Sequence, residues 1–148
     1  MLSTGSLVLI NLTLSTLLTG LIWTIQLVHY PGFLGVGTDG FLAYQQNHMR
    51  NISYLVIPLM LAELVMAGLL QYYHRGLPPW SIYLSTGLVV FVWATTFFVS
   101  SPLHGKLVTY GYDSNIIQQL VVTNWLRTVA WSFRTGILFF LIVQLLKN

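Results

Sequence analysis

The sequence predicts an all-α integral membrane protein, a single transmembrane domain over residues 1–148 built as a four-helix up-down-up-down bundle. Two observations carry this. Only 6% of the residues are charged while 55% are hydrophobic, against about 25% charged in an ordinary soluble domain. Four apolar runs of membrane-spanning length are also separated by short segments rich in Gly and Pro. Three acids and six bases are too few to cover a water-facing surface. That excludes a typical cytosolic enzyme and a disordered chain. It also excludes a nucleic-acid partner, which needs clustered Lys and Arg. The chain has no cysteine, which excludes disulfides, thiolate catalysis and iron–sulfur clusters.

The spans cover residues 7–28, 52–73, 80–101 and 128–146. The first and third carry no charge, the second carries Glu63 and the fourth Arg134. Runs of about 19–22 residues at 1.5 Å each cross a hydrocarbon core of about 30 Å. Only helices or closed barrels satisfy every backbone group in lipid, and these runs lack the alternation a barrel strand needs. The first run has no basic flank and no small-residue cleavage site, so it reads as a retained anchor. Residues 31–40 (PGFLGVGTDG), 74–79 (HRGLPP) and 102–113 are the expected links. Short links make sequential helices antiparallel and place both termini on one side. The second helix is expected to begin near Phe41 and the fourth near Ser114, ahead of their apolar stretches.

Counting along each helix from the side of the termini places the histidines. His29 lies 23 residues from Ser6, His48 25 from Tyr73 and His104 24 from Trp80. Each therefore sits roughly 35–37 Å along its helix. Asn124 lies 23 residues from Lys147, at the same level, and Arg127 is one turn deeper. His74 falls on the opposite side. Three histidines from three helices at one level suggest a metal site, because imidazole is a common metal ligand and bundle interiors are where such sites are built. Three His leave an open position on zinc and equally suit iron or copper. The competing reading is that histidine is simply tolerated at a membrane interface.

Helical period tests which way these groups face. Asn11, Ser15, Thr19, Gln26 and His29 share one stripe, as do Asn124, Arg127, Trp131 and Arg134. Polar stripes in lipid point inward. Ser15 and Thr19 read as helix–helix contacts. Gln26, Asn124 and Arg127 read as groups that orient the ligands or hold substrate, with Arg127 suited to an anion through its bidentate fork. Glu63 and Arg134 lie at similar depth, about 15 and 20 Å from the side of the termini. They are expected to form a buried ion pair, with a proton or substrate relay as the alternative. Glu63 is too far from His48 to share its ion, so a carboxylate at the histidine level would have to be Asp39 or Asp113. Asn11-Leu-Thr and Asn51-Ile-Ser match a glycosylation pattern, but both fall in expected membrane helices. Trp80, Tyr72, Tyr73, Tyr83, Tyr110 and Tyr112 suit interfacial belts.

The segments Gln26-Leu-Val-His29-Tyr-Pro31, His48-Met-Arg50 with Pro58-Leu-Met-Leu-Ala-Glu63, Pro102-Leu-His104 and Asn124-Trp-Leu-Arg127-Thr run through nearly the whole chain. In them it resembles a family of small, uncharacterised bacterial four-helix integral membrane proteins. In size and layout it is also similar to anthrone-oxygenase-like membrane proteins. The resemblance implies a fold and a bacterial inner membrane, and no reaction.

The leading functional expectation is a membrane-embedded metalloprotein with His29, His48 and His104 as ligands. Its cofactor would be zinc, iron or copper, or haem. It would be an oxidoreductase or hydrolase acting on a lipid-like substrate from the bilayer. The alternative is an accessory subunit of a larger membrane complex or a homo-oligomer, its histidines ligating haem or pigment or serving structure. A third possibility is a small proton conductor using Glu63 and Arg134. Arg75 and Lys147 against Lys106 place the termini in the cytoplasm by the positive-inside rule, and counting Arg50 and Arg127 reverses this.

Overall fold

The computed structural model of the chain describes residues 3–73 and 76–147. His74 and Arg75 lie outside the described residues. The described residues form four helices: α1 (Thr4–Gly35), α2 (Phe41–Tyr73), α3 (Pro79–Tyr110) and α4 (Ser114–Lys147). Each has 32–34 residues, about 48–51 Å at 1.5 Å per residue. All four are apolar and long enough to cross a membrane, and their ends extend past a hydrocarbon core of about 30 Å. The helices form a closed ring in chain order, α1 against α2 and α4, and α3 against α2 and α4.

Local chemistry sets the helix ends. The Ser3 hydroxyl accepts from the Ser6 N–H at 3.1 Å and starts α1. The Asp113 carboxylate accepts from the Asn115 and Ile116 N–H groups at 2.8 and 3.1 Å and starts α4, as a carboxylate at an N-cap should. Gly111, at φ 82°, ends α3 in a conformation that glycine adopts at little cost. The expected link over residues 102–113 is therefore mostly helix, and so is the first part of residues 31–40. Pro31 and Pro102 do not break their helices.

The reason is visible one turn earlier. In α1 residues Ile25–His29 form a π turn closed by the Tyr30 N–H on the Ile25 carbonyl. In α3 residues Thr96–Ser100 form another, closed by the Ser101 N–H on the Thr96 carbonyl. Each i→i−5 bond is made by the residue just before a proline. A proline ring collides with the carbonyl four residues back and offers it no N–H. A widened turn moves that carbonyl aside and lets the helix continue.

The interior is layered. Near the termini Leu7, Val8, Leu70, Ile82 and Leu138 form one apolar cluster. Beyond it Glu63 and Arg134, both essentially unexposed, form an ion pair at 2.9 Å. The Trp131 indole N–H donates to the other Glu63 oxygen at 3.0 Å, and Arg134 Nη2 donates to Asn11 Oδ1 at 2.7 Å. Asn11 in turn donates to the Leu7 and Met66 carbonyls, each at 2.9 Å. One polar knot thus ties α1, α2 and α4. A second apolar layer follows, with Leu18, Ile22, Met60 and Val92, and continues to Phe33, Phe41, Leu107 and Ile117 at the far end. Ser15 and Thr19 each share a hydrogen bond with Thr135, at 2.8 and 2.9 Å.

Breaking the knot from one side leaves a charge with no partner. Glu63→Leu is expected to lower stability by about 3–5 kcal/mol, whereas Glu63→Leu with Arg134→Leu costs much less. Denaturation midpoints of both variants in the same detergent check this.

Candidate functional site

The three histidines do gather at one level. Ring centroids lie 4.4 Å apart for His29 and His48 and 5.7 Å apart for His48 and His104. Phe33, wholly unexposed, stands edge-on to His29 at 5.0 Å and His48 at 5.2 Å. It closes the cluster on the side of the links. Each ring nitrogen that can be traced goes to another protein group. His29 Nε2 and His48 Nδ1 share a hydrogen bond at 2.8 Å. The Gln45 side-chain amide donates to His104 Nδ1 at 2.9 Å. That leaves the His104 proton on Nε2, which donates to the Tyr30 hydroxyl at 2.8 Å.

Gln26, Asn124 and Arg127 adjoin this cluster. Gln26 donates to the Val121 carbonyl at 3.0 Å and accepts from Asn124 Nδ2 at 2.8 Å. Arg127 Nη2 donates to Asn124 Oδ1 and, at 3.2 Å, to the Tyr30 hydroxyl. A continuous chain therefore runs Gln26, Asn124, Arg127, Tyr30, His104, Gln45 across α1, α4, α3 and α2. The Tyr30 oxygen accepts from both His104 and Arg127. Its own proton is thereby left to point elsewhere.

Tyr30 also lines a cavity. About 260 Å³ is enclosed between α2 and α3, with α1 and α4 behind. Its polar end is made by Tyr30, His48, His104 and Arg127, and its apolar wall includes Leu18, Ile22, Met60 and Trp93. Ile57, Phe97 and Ser101 line its mouth and are exposed on the bundle's outer face. The opening is thus lateral. His48 also lines a shallower groove on the outside, with His29, Tyr44, Asn47 and Asn51. The His29–His48 pair therefore bridges an outer groove and the interior cavity.

Two of the participants, Tyr30 and Gln45, escape the sequence reading. A regular helix puts His29 on the inward stripe. The π turn adds a residue within that turn, so Tyr30, 4% exposed, takes the inward place and His29 is only half-buried. Pro31 marks a place where the helix has to adjust, but Pro58 sits in α2 with no widened turn, so the proline alone does not signal one. Gln45 lies three residues before His48 on the same face of α2, and it is completely buried.

The expected metal triad can be tested against this geometry. Two nitrogens bound to one tetrahedral zinc at 2.0–2.1 Å stand about 3.3 Å apart. The His29–His48 separation of 2.8 Å is that of a shared proton. Both nitrogens of His104 are already engaged. Among the described residues no group of three His, Asp or Glu side chains is arranged to hold a metal ion. Neither loop carboxylate reaches the level: Asp113 caps α4 and Asp39 accepts from Thr38 at 3.0 Å. As they stand, the side chains form a hydrogen-bonded relay and do not fit a metal centre. Arg50 is exposed and donates to Asn47, away from the cluster. Comparison with protein-family models, with curated proteins and with solved structures found no match.

Tyr30→Phe removes the acceptor on which His104 and Arg127 converge. It is expected to cost about 1–3 kcal/mol, the penalty for leaving buried donors unmade. The change is read as a shift in the detergent unfolding midpoint, and an unchanged midpoint would show that the hydroxyl holds neither group.

Proposed function

We propose that the protein takes a lipid-like molecule from the bilayer and holds its polar head against the Tyr30, His48, His104 and Arg127 cluster for proton-transfer chemistry. The observation that supports this most is the cavity itself. It is apolar along its length, polar at one end, and open sideways between α2 and α3. A molecule already dissolved in the membrane can enter such an opening without crossing water. The polar end offers the Tyr30 hydroxyl as donor and His48 as proton acceptor, groups suited to general acid–base work. The His29–His48 hydrogen bond gives a route for protons between the outer groove and the cavity. Hydrolysis of the head group would draw on such a route. The exposed apolar faces of all four helices are compatible with the bilayer as the surrounding medium.

A metal centre on His29, His48 and His104 is the second reading, favoured by the closeness of the three rings. It requires His29 and His48 to give up their shared proton and His104 to release Tyr30 or Gln45. Metal analysis of protein purified in mild detergent separates the two. A substoichiometric content of zinc, iron, copper and haem is expected for the proton relay. A full equivalent would instead carry the metal reading.

The relay makes a further prediction. Ser53 lies on the α2 wall of the cavity, and Ser53→Trp should fill the space. Wild type is expected to retain an amphiphile through purification and the folded variant to lose it, as measured by mass spectrometry of extracted lipids. Equal retention by both proteins would argue against the cavity as the binding place.

A further inference from the structure

We infer that the cavity takes a single-tailed amphiphile with a monoanionic head of the carboxylate class, for which Arg127 is the counter-charge. This rests on the reading that the cavity holds a lipid-like molecule, and it names that molecule's chemistry.

The bundle buries two arginines, and only one has an anion. Arg134 is paired with Glu63. Arg127 is 6% exposed, and among the described residues no carboxylate lies within ion-pair distance of it. The chain has only three acids. Glu63 is committed to Arg134, Asp113 to the start of α4, and Asp39 to Thr38. Arg127 spends one nitrogen, Nη2, on Asn124 and Tyr30, and its buried Nε, like that of Arg134, has no hydrogen-bond partner. Its side chain lines the cavity. A buried charge is stable only when paired and hydrogen-bonded, and a guanidinium fork matches a carboxylate.

The rest of the site agrees with such a head. His104 and the Arg127 guanidinium both donate to the Tyr30 oxygen, so the phenol proton is available to a second head-group oxygen. One uncompensated cation calls for one negative charge, which a carboxylate supplies and a phosphate dianion exceeds. The cavity, at about 260 Å³, falls just below the usual range of ligand sites, about 300 to 1,000 Å³. That suits one acyl chain and not two.

The test compares head groups on a constant tail. Purified protein in detergent is titrated with dodecanoate, dodecanol and dodecyl phosphate. Binding is followed by tryptophan fluorescence, since Trp93 and Trp131 line the cavity. Dodecanoate is expected to bind about tenfold or more tighter than dodecanol, the scale of one charge-assisted hydrogen bond. Arg127→Gln is expected to erase that preference while dodecanol still binds. Equal wild-type affinity for dodecanoate and dodecanol would overturn the anionic head and leave the lipid-like reading standing. Tighter binding of dodecyl phosphate than dodecanoate would overturn the carboxylate class. Failure of all three to bind would remove the lipid-like reading itself. The wild-type comparison decides the matter even if the variant does not fold.

Discussion

Lipid gives a buried polar group no water to fall back on, so every such group must find its partner inside the bundle. The knot around Glu63 is where this constraint acts hardest. A carboxylate and a guanidinium near the bilayer centre would each be costly alone. Together they use Trp131 and Asn11 to satisfy most of their remaining hydrogen-bonding capacity. Because the four residues come from α1, α2 and α4, only one axial alignment of these helices satisfies them all. Sliding α4 by one turn would move Arg134 about 5.4 Å and strand both charges. The knot therefore sets the register, and the register sets which residues meet at the other end.

Glu63 and His48 lie on one helix, and Arg134 and Arg127 on another. Aligning the first pair across α2 and α4 leaves Arg127 two turns from the ion pair, level with the cavity's polar end. The π turns complete the arrangement from the other two helices. Without the widened turn in α1, Tyr30 would face away from Arg127. Without the one in α3, His104, four residues beyond Ser100, would be rotated off the chain that Tyr30 and Gln45 form. Pro31 and Pro102 are thus positioning devices. They place a phenol and an imidazole against each other by the way their helices accommodate a missing N–H.

Much of this was legible in the sequence, for a definable reason. Hydropathy gives spans, and rise per residue gives depth, so the common level of His29, His48, His104 and Asn124 follows from counting. The starts of α2 at Phe41 and of α4 at Ser114 follow from the polar runs ahead of the apolar ones. Rotation is harder. It accumulates about 100° per residue, so a single inserted residue moves a side chain to another face while shifting its depth by only about 1.5 Å. That is why depth placed His29 with the other two histidines while period alone missed Tyr30. Partner choice is harder still. That His104 would bond Gln45 and Tyr30, and that His29 would turn to His48, depends on angles between helices that no linear pattern encodes.

The two buried arginines show how function can be read from what a fold leaves undone. Both sit on the inward stripe of α4, and both are almost fully enclosed. The difference between them lies in their surroundings. Arg134 stands where α2 supplies Glu63 and α1 supplies Asn11. Arg127 stands two turns away, where α2 and α3 part and an apolar channel reaches its side chain. A protein that needed Arg127 only to hold helices together could have met it with a second carboxylate from α2, as it does one layer below. Instead α2 presents His48 to the cavity and Gln45 to His104. Among the described residues one buried guanidinium has a carboxylate partner and the other, at the end of a channel, has none, and the proposed binding site rests on that asymmetry.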